Sequence, residues 1–558
     1  MNKKQIIVLI LVFMVPSWLI AGTISRPVLR TTLPASWDEN WLASPVAYDL
    51  DGDSAKEIIA ARHSVIYVWN AAGALLWRAP VGESASSGND HGASRQYASP
   101  VVGDLDGDGK GEIAIAYSTY AAVYEDNGDL KTGWPKSFPG SAGELRSIAA
   151  SDLDGDGLFE ILCQKTMEGP VTMVWDITGQ AVSGWPQVSG CDDCNDYGGF
   201  NQNIGAVDFN GDGSLEVVSS YDICHIGIMH ADGSPYPAHT MFSDAGPWAS
   251  SVPMFHDIEL AKQGWGADGN DRDEFTDSPP CFGDVDGDGK PEIILYSDHE
   301  RAGEAVVKGN CLWVLNADMT RVPGFETPLC SGEPLFTGYK NNIVQVSPSP
   351  ALADMNGEAG LDIIVPSYDG KIRCYSSGGA LLWDYVFDDG SGEFMGASGS
   401  AIGDLDGDGF YEVVFTTYST AEDVSHMIIL SHGGTELFKI ALMGRGSMSV
   451  PTLDDVDGDG SVEIIISLKD VLGGGNGGIQ IWDVPSSQAG DIPWPTGRGN
   501  YLRNGQNPDD QKPNGIDYSY QLRKNLLSPD KSMNRWYNIN GQVVEDVDWK
   551  TKSFLVRF

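Results

Sequence analysis

DVDGDGKPE, from Asp284 to Glu292, sets three carboxylates on alternate positions of a glycine-bearing loop and returns a fourth at the head of the apolar run EIILY. Alternate residues of a tight loop point the same way, so Asp284, Asp286 and Asp288 converge, the seventh position offers a backbone carbonyl, and Glu292 closes the cage. A hard cation such as Ca2+, which takes six to eight oxygens at about 2.3–2.6 Å, suits that donor set. A helical calcium loop of the EF-hand kind needs an acid at its twelfth position, and Leu295 stands there instead.

The element occurs eight times, at starts 48–76 residues apart. In order, its first, third, fifth and ninth positions are Asp49, Asp51, Asp53 and Glu57; Asp104, Asp106, Asp108 and Glu112; Asp152, Asp154, Asp156 and Glu160; and Asp208, Asn210, Asp212 and Glu216. After the Asp284 copy come Asp354, Asn356, Glu358 and Asp362; Asp404, Asp406, Asp408 and Glu412; and Asp455, Asp457, Asp459 and Glu463. None has an acid at position twelve. Two copies depart from the pattern, with Ser54 and Ala359 in the sixth place, where the turn asks for a left-handed residue and glycine meets it at least cost. The longer Glu358 also disturbs its cage, so the sixth loop is expected to bind a cation most weakly.

Each copy lies between a short small-residue run (SPVAY, SPVVG) and a β-branched one (EIIAA, EVVFT), followed by a third run (VIYVWN, GIQIWD), a turn, and a fourth (ALLWRAPV, ALLWDYVF). Four hairpin-linked strands repeated at a period near fifty make a propeller blade. An all-β, eight-bladed β-propeller of four-stranded antiparallel sheets over residues 23–505 is predicted, with seven blades as the alternative. The eighth unit lacks a fourth strand while Arg26 to Leu33 has no partner in the first, so the N-terminal segment is expected to complete the last blade. With 35 Lys+Arg against 78 Asp+Glu and a net charge of −43, the chain repels phosphate backbones, which excludes nucleic acid as a partner.

Residues 1–22 read as a signal peptide: Lys3 and Lys4, an apolar run from Ile6 to Ile20, then Ala21-Gly22. The run is too short for a membrane span, and no later stretch replaces it. A secreted or cell-surface protein is therefore expected, in a compartment that permits disulfides. Cys311 and Cys330 flank one hairpin and are expected to pair, whereas Cys163, Cys281 and Cys374 fall inside strands as core. Cys191, Cys194, Cys224 and His225 have zinc-ligand types without a specific spacing, and a disulfide is the favoured reading there.

The pattern resembles the FG-GAP/VCBS repeat of integrin α-subunit propellers and of bacterial surface proteins, across roughly residues 40–505. The resemblance implies calcium at the acidic first-to-second-strand turns and recognition on the opposite face, where length variation concentrates. There the sequence places Tyr117, Tyr221, Tyr296, Tyr368 and Tyr418 just after second strands, with His225 and His299, as a candidate ligand-binding rim for a glycan or protein. WPTGRGNYLRNG, Trp494 to Gly505, looks like the closing segment of bacterial relatives. Residues 506–515 form a polar linker, and the β-rich tail at 516–558 is similar to the C-terminal sorting domain of type IX secretion, though shorter and without its Gly-x-Tyr ending. No Gly-x-Ser-x-Gly, HExxH or phosphate loop is present. The expected role is a calcium-dependent adhesion or ligand-binding module. The alternative is a polysaccharide-active, lyase-like enzyme on the same scaffold. GALLW at 73–77 and 379–383 resembles quinoprotein blades, but only those two blades carry its tryptophan in that form.

Overall fold

The computed structural model describes residues 24–507, apart from 36–42, 63, 82–95, 140–142, 167–169, 188–197, 200, 222–223, 245, 247, 267–271, 298–308, 336–348 and 470–476, together with three short strands beyond residue 535. Among the described residues, eight antiparallel sheets follow the eight acidic loops in order. The first blade shows the plan: Val46–Tyr48, Glu57–Arg62, Val65–Asn70 and Leu75–Pro80 pair in sequence. Every residue of Glu57–Arg62 is buried, which explains its unbroken apolar run, whereas the outermost Leu75–Pro80 is half exposed. First strands touch one another from the sixth blade through the eighth and first to the fourth, and shared cores join the fourth blade to the fifth and the fifth to the sixth, so the ring is closed.

Closure uses the N-terminal segment, as the unpaired Arg26–Leu33 stretch predicts. Val28–Pro34 runs antiparallel to Gly478–Asp483 and supplies the fourth strand of the last blade. Two blades fall short of four full strands. The third and fourth show three each, with isolated bridges such as Trp175↔Ala181 and Met229↔Pro235 in place of the fourth. Pro186, Pro235 and Pro237 have no N–H to give a ladder, which is why the pairing stops at single bridges. In the fourth blade the chain instead makes short helical turns, Thr240–Phe242, Ala249–Ser251 and Ile258–Ala261.

Neighbouring blades are joined by an indole hydrogen bond. Trp77 Nε1 donates to Asp126 O at 2.9 Å, Trp134 to Ile177 O at 2.8 Å, Trp185 to Ala231 O at 2.9 Å and Trp383 to His432 O at 2.8 Å. Each acceptor lies two residues past the third strand of the next blade. The sequence reading recognised only Trp77 and Trp383. Trp134 and Trp185 sit in Gly-Trp-Pro turns, where proline interrupts the apolar run that marks a strand. Gly184 packs so tightly on Asp232 O that a Cβ there has no room.

The stretch after the last blade threads the axis. Its backbone carbonyls accept from the first strands of five blades around the ring: Trp494 O from Ile402 N (2.8 Å), Tyr501 O from Val102 N (3.0 Å), Leu502 O from Ala150 N (2.9 Å), Asn504 O from Ala206 N (3.1 Å) and Gly505 O from Phe282 N (2.8 Å). Pro495 O takes Leu453 N of the eighth blade, and Arg503 donates to Ser44 O beside the first and to Pro100 O beside the second. Arg498 reaches Pro280 O and Ile204 O. Both guanidinium groups are fully buried among carbonyl oxygens, and burial pulls each down to about 9.

The predicted Cys311–Cys330 disulfide is present, and Cys163, Cys281 and Cys374 are buried and free. Cys224 is also buried and free, while Cys191 and Cys194 lie outside the described residues, as do residues 1–22 and most of the linker and tail. Within the tail Trp536–Tyr537 pairs with Val543–Val544 and with Val556–Arg557. Among the described residues no helix is long and apolar enough to cross a membrane.

Deleting residues 24–34 is expected to leave Gly478–Asp483 as an open edge and to give a broader melt at lower temperature. A cooperative, native-like calorimetric transition of the truncated chain would refute the closure. Replacing Arg503 with Met strands several buried carbonyls at about 1–3 kcal/mol each. Urea unfolding should then show a loss of roughly 3 kcal/mol or more.

Candidate cation loops and the axial cavity

All eight acidic loops connect the first strand of a blade to the second, and they share one hydrogen bond. The ninth-position acid accepts the backbone N–H of the second position through one carboxylate oxygen, at 2.7–3.1 Å in every copy. The first aspartate orders the turn. In the third loop Asp152 Oδ1 accepts Gly155 N at 2.8 Å and Oδ2 accepts Gly157 N at 3.0 Å, and the same pair recurs at Asp455. Ser54 takes the left-handed conformation its place requires, at φ 73°. The strain expected at Ala359 is absent, because the left-handed residue has moved one place to Gly360, at φ 88°.

With one oxygen of the ninth acid committed to the backbone, the other faces the remaining carboxylates. One oxygen each of Asp284, Asp286 and Glu292 lie within 4.8 Å of one another, as do those of Asp152, Asp154 and Glu160, of Asp49, Asp51 and Asp53, and of Asp104, Asp106 and Asp108. In the fifth loop Glu292 Oε1 and Asp284 Oδ1 are buried with no hydrogen-bond partner among the described residues, and Glu292 is about 1 % exposed. Burial pushes the Glu292 carboxyl up to about 8, against the Val285 N–H that favours the anion and with Asp286 adding repulsion. Glu412 is pushed up to about 8 and Glu160 to about 7 for the same reason. Buried oxygens that lack a donor and repel one another fit a hard divalent cation. Such an ion would be held by the first, third, fifth and ninth positions and would supply positive charge to the turn.

The loops are not alike at that second oxygen. Among the described residues no side chain reaches it in Glu57, Glu160, Glu292 or Glu412. In the fourth loop Asn210 Nδ2 and His230 Nδ1 both approach Glu216 Oε1 at 3.1 Å, and in the sixth Asn356 Nδ2 meets Asp362 Oδ1 at 3.0 Å. In the second, Lys131 Nζ lies 2.6 Å from Asp106 and 3.5 Å from Glu112, the latter an ion pair without a hydrogen bond, which leaves Glu112 Oε1 and Asp104 Oδ1 with no hydrogen-bond partner among the described residues. In the eighth, Arg30 Nη2 lies 2.9 Å from Asp457 and 2.8 Å from Glu463.

The other face holds the residues proposed from sequence as a rim, and the structure buries most of them. Tyr117, Tyr221, Tyr296 and Tyr418 are 2–6 % exposed, and Tyr368 is partly buried. Tyr117 stacks on Tyr120 at 5.6 Å, Tyr221 meets His225 edge-on at 5.7 Å, and Ser278 donates to Tyr296 O at 2.7 Å. His225 is buried, which pulls its pKa down to about 3. His299 lies outside the described residues. These rings therefore pack strand ends between blades and present no open aromatic shelf. Their sequence position placed them at the correct end of the strand, but alternation within one strand does not reveal what the neighbouring blade covers.

What opens on that face is an axial cavity of about 40 Å³, lined by Ser44, Asn201, Gln202, Ser349, Ser398, Tyr418, Met448 and Arg498 among others. Only Tyr418 was picked out from sequence. Asn201 and Gln202 are consecutive non-glycine residues in the left-handed region, at φ 38° and 75°, which is a local strain of the kind stored at functional sites. Gln202 Oε1 is buried with no hydrogen-bond partner among the described residues. The available signal was the repeated Ser-Pro before first strands, at Ser44-Pro45, Ser99-Pro100 and Ser349-Pro350, which places a hydroxyl beside the axis.

Eight sheets with acidic first turns, arranged around one axis, define a β-propeller. The FG-GAP-like repeat family matches residues 104–163, which hold the second and third loops, and the other six loops stand at equivalent turns, which supports an FG-GAP-repeat β-propeller. No curated protein sequence matches it. In fold it is similar to the V. cholerae biofilm matrix protein Bap1, at 15 % identity and a TM-score of 0.50 over 87 % of this chain and 96 % of that one. The quinohemoprotein alcohol dehydrogenase of Comamonas testosteroni is similar over 83 % of this chain and 77 % of its own, at 10 % identity and a TM-score of 0.49. The Bacillus licheniformis rhamnogalacturonan lyase covers 82 % and 75 %, at 13 % and 0.44. At these identities the likeness is one of fold.

Because Tyr296 is packed inside, its replacement by alanine should cost about 3–5 kcal/mol of unfolding free energy. An unchanged urea midpoint would return the ring to the surface role.

Proposed function

We propose that the protein is a secreted, calcium-binding β-propeller that serves as an adhesion or ligand-binding module for an extracellular glycan or protein, with calcium holding the scaffold and the opposite face taking the ligand. The observation that carries this reading is the division between the two ends of the first strands. One end bears cages of buried carboxylates with oxygens at Glu292 and Asp284 that have no partner among the described residues, and the other opens into a small cavity where hydroxyl and amide groups stand beside a larger apolar wall of Pro279, Ala397, Met448 and Val450. Hydroxyls, two amides and a phenol beside an apolar wall suit a neutral group with both a polar and an apolar side, such as part of a sugar ring or of an exposed peptide. The acidic field of the whole chain disfavours an anionic one.

Calcium bound to the native state alone stabilises it by RT ln(1+[L]/Kd) at each site, about 2.7 kcal/mol when the ion is a hundredfold above Kd. The melting temperature should accordingly rise by several degrees from EDTA to millimolar Ca2+. Equal melting temperatures in the two would remove calcium from the account. For the ligand face, an array of glycans and matrix proteins probed in Ca2+ should lose its signal when Met448→Trp fills the cavity, with the calcium-dependent melt retained. Undiminished capture by that variant would exclude the axial cavity.

A further inference from the structure

We propose that this propeller carries two resident cations of its own: Lys131 in the second loop and Arg30 in the eighth stand where a calcium ion would, and those two loops bind none. The inference rests on the calcium reading above for the remaining loops.

Both side chains come from one structural position. Where the fourth strand joins the third, the pairing slips by a residue. Trp69 faces Leu75 while Val68 faces Trp77, so Leu76 is bulged out, and Leu382 and Leu437 are bulged in the same way in the sixth and seventh blades. In the eighth blade Trp482 faces Leu29 and Ile481 faces Thr31, which makes Arg30 the bulged residue. In the second, Tyr124 bridges Leu130, and the next residue, Lys131, donates its N–H back to Val123 O. The third, fourth and fifth blades have Val182, Tyr236 and Val322 at that place, each following the bridged residue. Of eight equivalent positions, two are cationic, and those two side chains enter the loop of their own blade.

They enter it at the oxygens a metal needs. Lys131 Nζ is bracketed by Asp106 at 2.6 Å, Glu125 at 3.1 Å and Glu112 at 3.5 Å, with its side chain about 12 % exposed. Arg30 spans Asp457, Glu463 and Asp483. In both loops the ligands engaged are the third and ninth positions. A divalent ion placed among the same oxygens would lie against a fixed positive charge, and the third- and ninth-position carboxylates that would attract it are already engaged in ion pairs. The amides at Asn210 and Asn356 and the ring of His230 do something weaker in the fourth and sixth loops, since an amide donates a hydrogen bond without supplying charge. Arg30 has a further consequence, because it lies on Val28–Pro34, the strand that closes the ring. The seam between last and first elements is thereby held by ion pairs that do not depend on calcium, whatever the other loops release.

Native mass spectrometry of the full chain at saturating Ca2+ counts the ions. The wild type is expected to hold no more than six. Lys131→Leu, which installs the residue found at the bulge in three other blades, is expected to hold one more, and Arg30→Leu one more. Leu76→Lys is expected to hold one fewer. Arg30→Leu also weakens the closing strand, so the lysine variant and Leu76→Lys decide the matter if it fails to fold. Eight ions on the wild type, or an unchanged count in Lys131→Leu and Leu76→Lys while the wild type does bind ions, overturns the resident-cation assignment alone. No ion on the wild type or on any variant overturns the calcium reading and this inference with it.

Discussion

In every blade the carboxylate at the head of the second strand is buried, with one oxygen held by a backbone N–H at the end of the first strand and the other turned toward two or three more acids. That hydrogen bond, at 2.7–3.1 Å in eight copies, fixes how the innermost pair of strands leaves the turn, and so sets the wedge shape from which the ring is assembled. The second oxygen creates the opposing demand. A buried anion beside like charges is stable only if something positive or strongly donating meets it. The chain meets that demand in different ways in different blades: a lysine, an arginine, an amide or imidazole, and in four loops no side chain among the described residues. The net charge of −43 arises in large part from repeating this unit, and it links folding to whatever cations are bound.

A ring of wedges needs two further constraints. Around the circumference, an open edge at the last blade would expose unpaired backbone, and Val28–Pro34 covers it. Around the axis, the inner edges of the first strands present backbone N–H groups, and residues 491–507 accept from them in six blades, while Arg503 donates to Ser44 O beside the first. One constraint lies before the first repeat and the other after the last. Neither can form until the whole ring is present, so the two together favour an all-or-none native state over a stack of independently stable blades.

The loops, the blade count and the closing strand were legible because each follows from local spacing or from simple accounting of strands. Nine residues suffice to read an acidic loop, and a missing fourth strand points to the unpaired segment at the other end. What stayed hidden depends on contacts between segments far apart in sequence. Tyr221 and Tyr296 fall at the expected strand end, yet the neighbouring blade covers them. Trp134 and Trp185 dock as Trp77 does, but proline removes the strand pattern that would reveal them. Arg30 and Lys131 read as ordinary surface cations until the bulge shows where they point. Ala359 was expected to be strained, and the loop avoided the cost by shifting its left-handed residue to the glycine next door.

The two ends of the first strands are close enough to be mechanically connected. Ser44 precedes Asp49 by five residues, Gln202 precedes Asp208 by six, Ser349 precedes Asp354 by five, and Ser398 precedes Asp404 by six. In each case a cavity residue and the first acid of a cation loop sit on either side of one strand of three or four residues, roughly 10–13 Å long at about 3.3 Å per residue. The strand itself is held at its middle by the axial segment, as at Ile402 and Ala206. The cavity lining therefore comes from the starts of several first strands whose far ends carry acidic loops, so that single short strands join the two faces.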